Sequence, residues 1–383
     1  MARARQAETA RIGAVTHDGR GIAAVDGKKV FVAGALRDEE VRFLRRKRRR
    51  NYDEAQLLEV LDAAASRVTP RCAVFGTCGG CSLQHQSAAA QRAIKEDTLR
   101  DSLQRIGGLK PARWLAPLYD TRADGDWHYR RRARLAVKDV PGKGRVLVGF
   151  RERHAPFVAD MHRCEILVRP LHALLDPLSE LVGALSIRSR VPQIEVAAGD
   201  EHASLVFRVL DPPSVADRER LANFARQHAL SVALQPGGPD SVEPLFPPAP
   251  PPLTYRLPEF DLELEFGAMD FVQVNAQVNR HMVSRAVELL APTAGDRVLD
   301  LYCGIGNFSL PLARRAADVL GIEGDVRQVQ RAAANARRNA LGNARFQAAD
   351  LAALDGSEPW LATPWTQLLL DPARNGAAAV IAN

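Results

Sequence analysis

The sequence predicts a multidomain protein that joins a small β-barrel to a parallel α/β domain, with a cysteine-bearing segment between them. Three observations predict it. Short apolar runs separated by turn signals fill residues 1–62. The stretch from Val298 to Leu310 reads as strand, tight turn and helix, with Gly304 and Gly306 in the turn. Beyond it, strands that end in acids alternate with helices as far as Asp371, the pattern of a parallel sheet whose site lies at the strand C-terminal ends. The 383 residues suffice for two or three domains, and 46% hydrophobic residues suffice for buried cores.

The barrel comes first. Residues 12–15, 21–25, 29–32 and 40–44 are its strand candidates, punctuated by Asp18-Gly19, Asp26-Gly27 and Gly34. Strands this short at this spacing suit an oligonucleotide-binding barrel. Residues 42–50 carry seven positive charges and no acid, abut a strand end and are followed by Tyr52. A solvated charge run is the simple alternative, but such clustering suits an RNA backbone. The whole chain is basic, with a net charge of +7; of 52 basic residues, 45 are arginine and 7 lysine. Arginine forks phosphate and stacks on bases, which points to nucleic acid, although a coding bias towards Arg and Ala gives the same count. No run of 18 apolar residues is present, and the basic start at residues 1–11 has no apolar stretch after it. The expectation is therefore a cytoplasmic protein without membrane or secretory segments, whose thiols stay reduced.

Cys72, Cys78 and Cys81 follow as C-x5-C-G-G-C. Gly79 and Gly80 give the backbone freedom for two sulfurs to face one centre. Cys164 is the candidate fourth thiol, and four thiolates fit an iron–sulfur cluster or a structural zinc.

A helix is expected over 84–106, with Ala90, Ile94, Leu99, Leu103 and Ile106 on one broad face and Gly107-Gly108 at its end. Residues 127–134, WHYRRRAR, read either as base-stacking aromatics among phosphate-binding arginines or as an edge strand with solvated arginines. Strands at 146–150 and 157–158 lead to Cys164. A helix at 170–185, strands at 194–196 and 205–210, and a helix at 216–228 follow. His162, His172, His202 and His228 have no metal-like spacing. Residues 244–258 hold seven prolines and read as a semi-rigid connection between domains. A strand at 262–266 and the run FVQVN, with Asn275 as a helix N-cap, lead to the glycine turn.

What the turn holds follows from what it lacks. A dinucleotide fingerprint needs a third glycine, and Ser309 stands there; no phosphate-binding lysine compensates. Glu323 ends the second strand, placed to accept from ribose hydroxyls, and Asp350 and Asp371 end the third and fourth. Acids at successive strand ends suit a cationic ligand without phosphate, S-adenosylmethionine.

With these motifs in order, the chain resembles the RNA uracil-C5 methyltransferases, in particular the branch that acts on 23S ribosomal RNA. The resemblance is carried from end to end by the N-terminal barrel, C-x5-C-G-G-C with Cys164, FVQVN, DLYCGIGNF, GIEG and LLDPARNGA. It implies a TRAM β-barrel over 1–65, an iron–sulfur α+β central domain over 66–90 and 123–258, and a class I, Rossmann-like methyltransferase domain over 91–122 and 259–383. It further implies a 4Fe–4S cluster on Cys72, Cys78, Cys81 and Cys164, and methyl-donor contacts from Gln273, Tyr302, Asn307, Glu323, Asp350 and Asp371. The expected partner is 23S ribosomal RNA, without a membrane, and the chain is expected to be monomeric. In the family a cysteine thiolate adds to uracil C6, which makes C5 nucleophilic towards the sulfonium methyl; a base then removes the C5 proton.

The sequence departs from the family at its end. The nucleophilic cysteine lies beyond the DPAR segment in relatives, with a glutamate base further on; neither precedes Asn383. Cys303 belongs to the donor loop and does not replace the nucleophile. The expectation is a truncated chain whose donor domain lacks its last strands, whose catalytic groups would lie beyond Asn383, and whose sheet has an open edge. A non-catalytic RNA-binding iron–sulfur protein is the second reading. Methylation of transfer RNA is the third, opposed by the four cysteines, which the transfer-RNA enzymes usually lack.

Overall fold

A computed structural model of the chain describes residues 6–374 and 376–381. The first residues of the basic N-terminal run, Asn375 of the DPARNGA motif and the terminal Asn383 lie outside the described residues. The chain divides into two compact units, residues 1–117 with 147–165 and residues 118–146 with 166–383. Among the described residues no helix is long and apolar enough to cross a membrane.

The first unit opens with β1 (Glu8–Arg11), β2 (Ala14–Val15), β3 (Arg20–Val25), β4 (Lys28–Ala33), β5 (Glu40–Arg48) and β6 (Tyr52–Asp62). They form one sheet in the order β1-β5-β6-β4-β3-β2, antiparallel except for the β4–β6 pair. Alternation along the strands sends Val30, Val32, Val41 and Phe43 inward, where with Ile12 they make the core of this half-barrel. Two of these strands depart from expectation. β1 and the eleven-residue β6 carry no strand signal of their own. The basic run does not follow a strand end: most of it lies within β5.

The buried polar groups of this sheet are all paired. Asp53 is 1% exposed and takes Lys28 Nζ at 2.6 Å, Arg45 Nη1 at 2.7 Å and the Arg49 N–H at 3.2 Å. Burial alone would raise its carboxyl pKa; these donors outweigh burial and hold it at about 2. A folded-state value below the ordinary 3.8 contributes stability that is present above pH 3.8 and lost as pH falls through about 2. Asp53→Ala is expected to cost about 3 kcal/mol at neutral pH, because it strands Lys28 and leaves Arg45 with Glu8 alone. Urea denaturation at several pH values checks this: the gap between variant and parent should shrink as the parent's Asp53 becomes protonated. A gap independent of pH would show that the ion cluster contributes nothing.

Next comes α1 (Ala88–Arg105), which has no buried residue. Leu99 and Ile106 are among the exposed apolar side chains, so the broad apolar face expected there is not covered. The chain enters the second unit at Leu118, its first strand there is β7 (Arg132–Val140), and β8 (Arg145–Gly149) carries it back to the first. Residues 157–158 make only a single bridge, Arg151 with Val158.

The rest of the second unit begins with α2 (Leu175–Gly183), β9 (Gln193–Ala198), β10 (Ala203–Arg208), α3 (Val215–Gln227), β11 (Ser231–Gln235) and β12 (Glu243–Phe246). The helix expected over 170–185 thus splits into a short 3-10 turn and α2. Ser214 and Asp217 form a reciprocal capping box at α3. The strands run in the order β12-β11-β10-β9-β7. The arginines of residues 127–134 do not share one environment. Arg131 is buried and gives Asp200 a 2.7 Å hydrogen bond, Arg132 donates to the Met269 carbonyl, and Arg134 pairs with Glu195. Arg131 and Arg132 are thus engaged inside the unit, while Arg134 keeps an exposed guanidinium beside Glu195.

The proline-rich segment is not a free connection. β12 pairs with β11, and β13 (Leu253–Leu257) forms a hairpin with β14 (Leu262–Phe266). Then come α4 (Ala276–Leu290), β15 (Arg297–Leu301), α5 (Ser309–Ala313), β16 (Asp318–Glu323), α6 (Val326–Arg338), β17 (Ala344–Ala348), β18 (Gln367–Leu370) and α7 (Ala378–Ile381). The four strands β17-β16-β15-β18 are all parallel. Each face is covered: Val298 and Val319 point to one cluster with Phe308 and Leu310, while Leu299, Leu301, Leu320 and Ile322 point to another with Leu351 and Trp360.

Candidate functional site

The parallel sheet brings the predicted acids to one edge. In register, Leu301 lies beside Ile322 and Leu370, so Tyr302, Glu323 and Asp371 leave neighbouring strands at the same level. Asp350 follows two residues after β17. The turn is left-handed at Tyr302 (φ 65°), Gly304 (φ 56°) and Gly306 (φ 92°). A non-glycine residue held at positive φ marks a constrained loop. Glu323 holds this loop: one oxygen accepts the Gly304 N–H at 3.1 Å, the other the Asp325 N–H at 3.1 Å, where α6 begins. The Asp325 side chain caps α6 by accepting from the Arg327 N–H.

Asp300 sits beneath the turn with no exposed surface, and the Ser309 hydroxyl donates to its Oδ2 at 2.5 Å. Burial pushes its carboxyl up to about 7; Ser309 opposes this, and Asp371 and Glu323 add to it. Asp371 is itself raised by desolvation. Cys303 is 3% exposed, and burial, then Asp300 and Glu323, push its thiol far up. It packs so closely against Gly321 that a Cβ there would lie 2.8 Å from its sulfur and 2.6 Å from the Phe346 ring. This thiol is a packed core group, as expected.

Asn275 caps α4 by accepting from the Val278 N–H at 3.0 Å, as its sequence position predicts. Gln273 is half-buried in the segment before it. Asn307 and Asn279 exchange two amide hydrogen bonds of 2.9 Å, and the Tyr255 hydroxyl also donates to Asn307 Oδ1. Asn335, 1% exposed on α6, accepts from the Glu265 N–H and donates to the carbonyls of Glu265 and Ile305. Sequence reading missed Asn279, Asn335 and Tyr255. One signal existed: Asn279 is a polar residue on the apolar stripe of α4, a place tolerated only when its amide is satisfied.

In the first unit the cysteine loop is built on a hairpin. The Glu152 N–H bonds the Phe157 carbonyl, the Ala159 N–H bonds the Phe150 carbonyl, and the Gly79 N–H bonds the Arg151 carbonyl at 2.9 Å. Arg153 donates through its side chain to the Cys81 carbonyl and through its N–H to Thr77. The Gly80 N–H points at Cys78 Sγ at 3.4 Å. Burial raises the Cys78 thiol, the Gly80 hydrogen bond opposes this, and Cys81 and Cys72 raise it further by their charge. Buried Cys164 is drawn to the same region, because Glu165 pairs with Arg71 at 3.1 Å, one residue before Cys72. Among the described residues, no three His, Cys, Asp or Glu side chains are gathered so as to hold a single metal ion.

The basic strand divides by partner. Arg42 pairs with Glu59, Arg45 with Glu8 and Asp53, and Lys47 with Glu54. Arg46 donates to Gln56. Arg48, Arg49 and Arg50 are exposed.

Residues 257–356 match the family described as tRNA (uracil-5-)-methyltransferase. The chain is 49% identical over 367 residues to the 23S rRNA (uracil(1939)-C(5))-methyltransferase RlmD of Alkalilimnicola ehrlichii, covering 96% of this chain and 82% of that protein. It is 48% identical over 376 residues to the RlmD of Azoarcus sp., covering 97% and 86%. Among solved structures, the Pyrococcus abyssi tRNA (uracil-54, C5)-methyltransferase in complex with S-adenosyl-L-homocysteine matches 98% of this chain and 86% of that chain, with a TM-score of 0.72. At 19% identity that likeness concerns the fold alone.

Proposed function

The chain belongs to the RlmD family of 23S rRNA uracil-C5 methyltransferases, and from that premise we propose how its residues divide the work. The family reaction is transfer of a methyl group from S-adenosylmethionine to C5 of uridine 1939. The donor supplies an electrophilic methyl on a sulfonium. The protein's part is to bind and orient that donor, and to present the uridine.

The observation that carries the donor site is the edge where three parallel strands end in acids beside a left-handed glycine turn. A carboxylate has about four acceptor positions. Glu323 uses two on the loop and keeps the others for the ribose hydroxyls. Gln273, Tyr302, Asp350 and Asp371 complete the cradle around the adenosine and the cationic end. Asn307 belongs to the same site, with its side-chain amide committed to Asn279 and Tyr255, so it acts by holding the turn and through its backbone. Cys303 is sealed, so the thiolate that adds to C6 has no candidate among these residues.

In the first unit, Cys72, Cys78, Cys81 and Cys164 are the ligands of a 4Fe–4S cluster. The donor set supports this: four thiols, a glycine N–H directed at one sulfur, and an ion pair that joins the chain at Cys164 to the chain at Cys72. Bound iron and sulfide would cross-link a loop that has almost no regular secondary structure. The functional division runs 1–65 for RNA, 66–90 with 123–258 for the cluster-bearing centre, and 91–122 with 259–383 for the donor. The two compact units cut across it: residues 91–117 fall in the first unit, and 123–146 with 166–258 fall in the second.

The RNA-binding strand is β5 with its exposed end. Arg48, Arg49 and Arg50 have no ion pair among the described residues, which leaves their charge for phosphate. Replacing all three with glutamine is expected to weaken binding of a 23S rRNA fragment about tenfold or more at low salt and to flatten its salt dependence. A filter-binding titration at several salt concentrations tests this; an unchanged slope would remove β5 from the interface. Donor binding is tested separately, by titrating S-adenosylmethionine into the chain in a calorimeter. No heat would leave a non-catalytic RNA-binding protein as the better reading.

A further inference from the structure

Asp300 has a feature that holding the turn does not use. Its Oδ2 is satisfied by Ser309, but Oδ1 has no hydrogen-bond partner among the described residues, and the side chain is fully buried. A bare carboxylate oxygen in that setting is costly. It is relieved by a proton or by a nearby cation. The charged neighbours that act most on Asp300 among the described residues are acids, Asp371 at the end of β18 and Glu323 at the end of β16. From the turn it faces the buried thiol of Cys303, and from α5 the neutral hydroxyl of Ser309. Relief before a ligand arrives therefore comes from a proton.

We propose that Asp300 carries a proton on Oδ1 until the methyl donor binds and gives that proton to solvent when the donor's positive charge enters beside the three carboxylates. This rests on the donor site described above. The balance is simple: the Oδ1–H bond breaks, its electrons stay on the carboxylate, and the proton goes to buffer. The donor carries a net positive charge, and the demethylated product has lost the sulfonium. The product should therefore release fewer protons, and Asp300 should regain its proton after transfer. Burial that raises the carboxyl to about 7 is consistent with this exchange near neutrality. Asp300 would then be a positioning residue that matches the charge of the site to the donor and lets the neutral product go more readily.

Calorimetric titration of the chain with S-adenosylmethionine at pH 7, in phosphate and in Tris, counts the protons. Protons should be released as the donor binds, more per donor at lower pH and fewer at higher pH, as expected for a carboxyl that is protonated before the donor arrives. Asp300→Asn should still bind with a measurable heat, now the same in both buffers. Ser309→Ala removes the hydrogen bond that favours the ionised form, so its release should rise towards one proton and its midpoint should move to higher pH. S-adenosylhomocysteine should release less than the donor does. Equal heats in both buffers for the parent, or full release from Asp300→Asn, would overturn the inference while leaving donor binding intact. Absence of any binding heat in the parent would overturn the donor site and this inference together.

Discussion

Glu323→Gln is expected to weaken S-adenosylmethionine binding about a hundredfold. Each charge-assisted hydrogen bond is worth about 1.5–3 kcal/mol, and about 1.4 kcal/mol is a factor of ten in affinity. The substitution removes the charge that faces the ribose hydroxyls. It also replaces one acceptor oxygen by an amide NH2, which donates and cannot accept, so either the Gly304 or the Asp325 N–H loses its partner. The loop then loses its tie to α6 as well as its ligand contact. Calorimetry gives the affinity, and thermal unfolding of the same variant separates the two effects. A large loss of affinity with little change in Tm is the expected pair. Affinity within threefold of the parent would mean that Glu323 only caps the loop and that the ribose is held elsewhere.

Cys164→Ser should abolish cluster binding. The three cysteines of the loop lie within ten residues, and closure of the site depends on the ligand supplied from after the hairpin. The parent, purified without oxygen, should be brown and contain four irons. The variant should be colourless or lose its iron during purification, and its first unit should become protease-sensitive, since the loop depends on the cluster in place of a core. Cys303→Ala is the control: it lies in the other unit, and its iron content should match the parent. Four irons retained in Cys164→Ser would remove that residue from the site. One zinc and no iron in the parent would replace the cluster with a structural metal.

The donor turn was legible because its signals are local. Two glycines at positive φ, an acid at each strand end and a capping asparagine each act within a few residues. Less was legible wherever the deciding partner is remote. The sequence of β6, YDEAQLLEVLD, is rich in helix-favouring residues, yet it is a strand because β4 and β5 pair with it on either side. Arg131 and Arg132 look like free cations until Asp200 and the Met269 carbonyl are brought to them. The double amide exchange of Asn279 with Asn307 crosses from α4 to the turn, and periodicity places Asn279 on a stripe without naming its partner. The proline-rich segment reads as a spacer from composition, but the bonds of β12 to β11 and of β13 to β14 are set by sheets that composition does not reveal.

The first unit is made from two separated lengths of chain, and this imposes an order on biosynthesis. The half-barrel, Cys72, Cys78 and Cys81 leave the ribosome before β7 is made, and domains fold from the N-terminus as they emerge. Cys164 appears only after the chain has passed through residues 118–146. On the four-thiolate reading, a nascent chain therefore spends an interval with a folded barrel beside three unclosed thiols. Iron delivered in that interval meets an incomplete, labile site. Cluster insertion should thus be late, and translation that stalls between Cys81 and Cys164 should yield a barrel able to bind RNA but unable to retain iron.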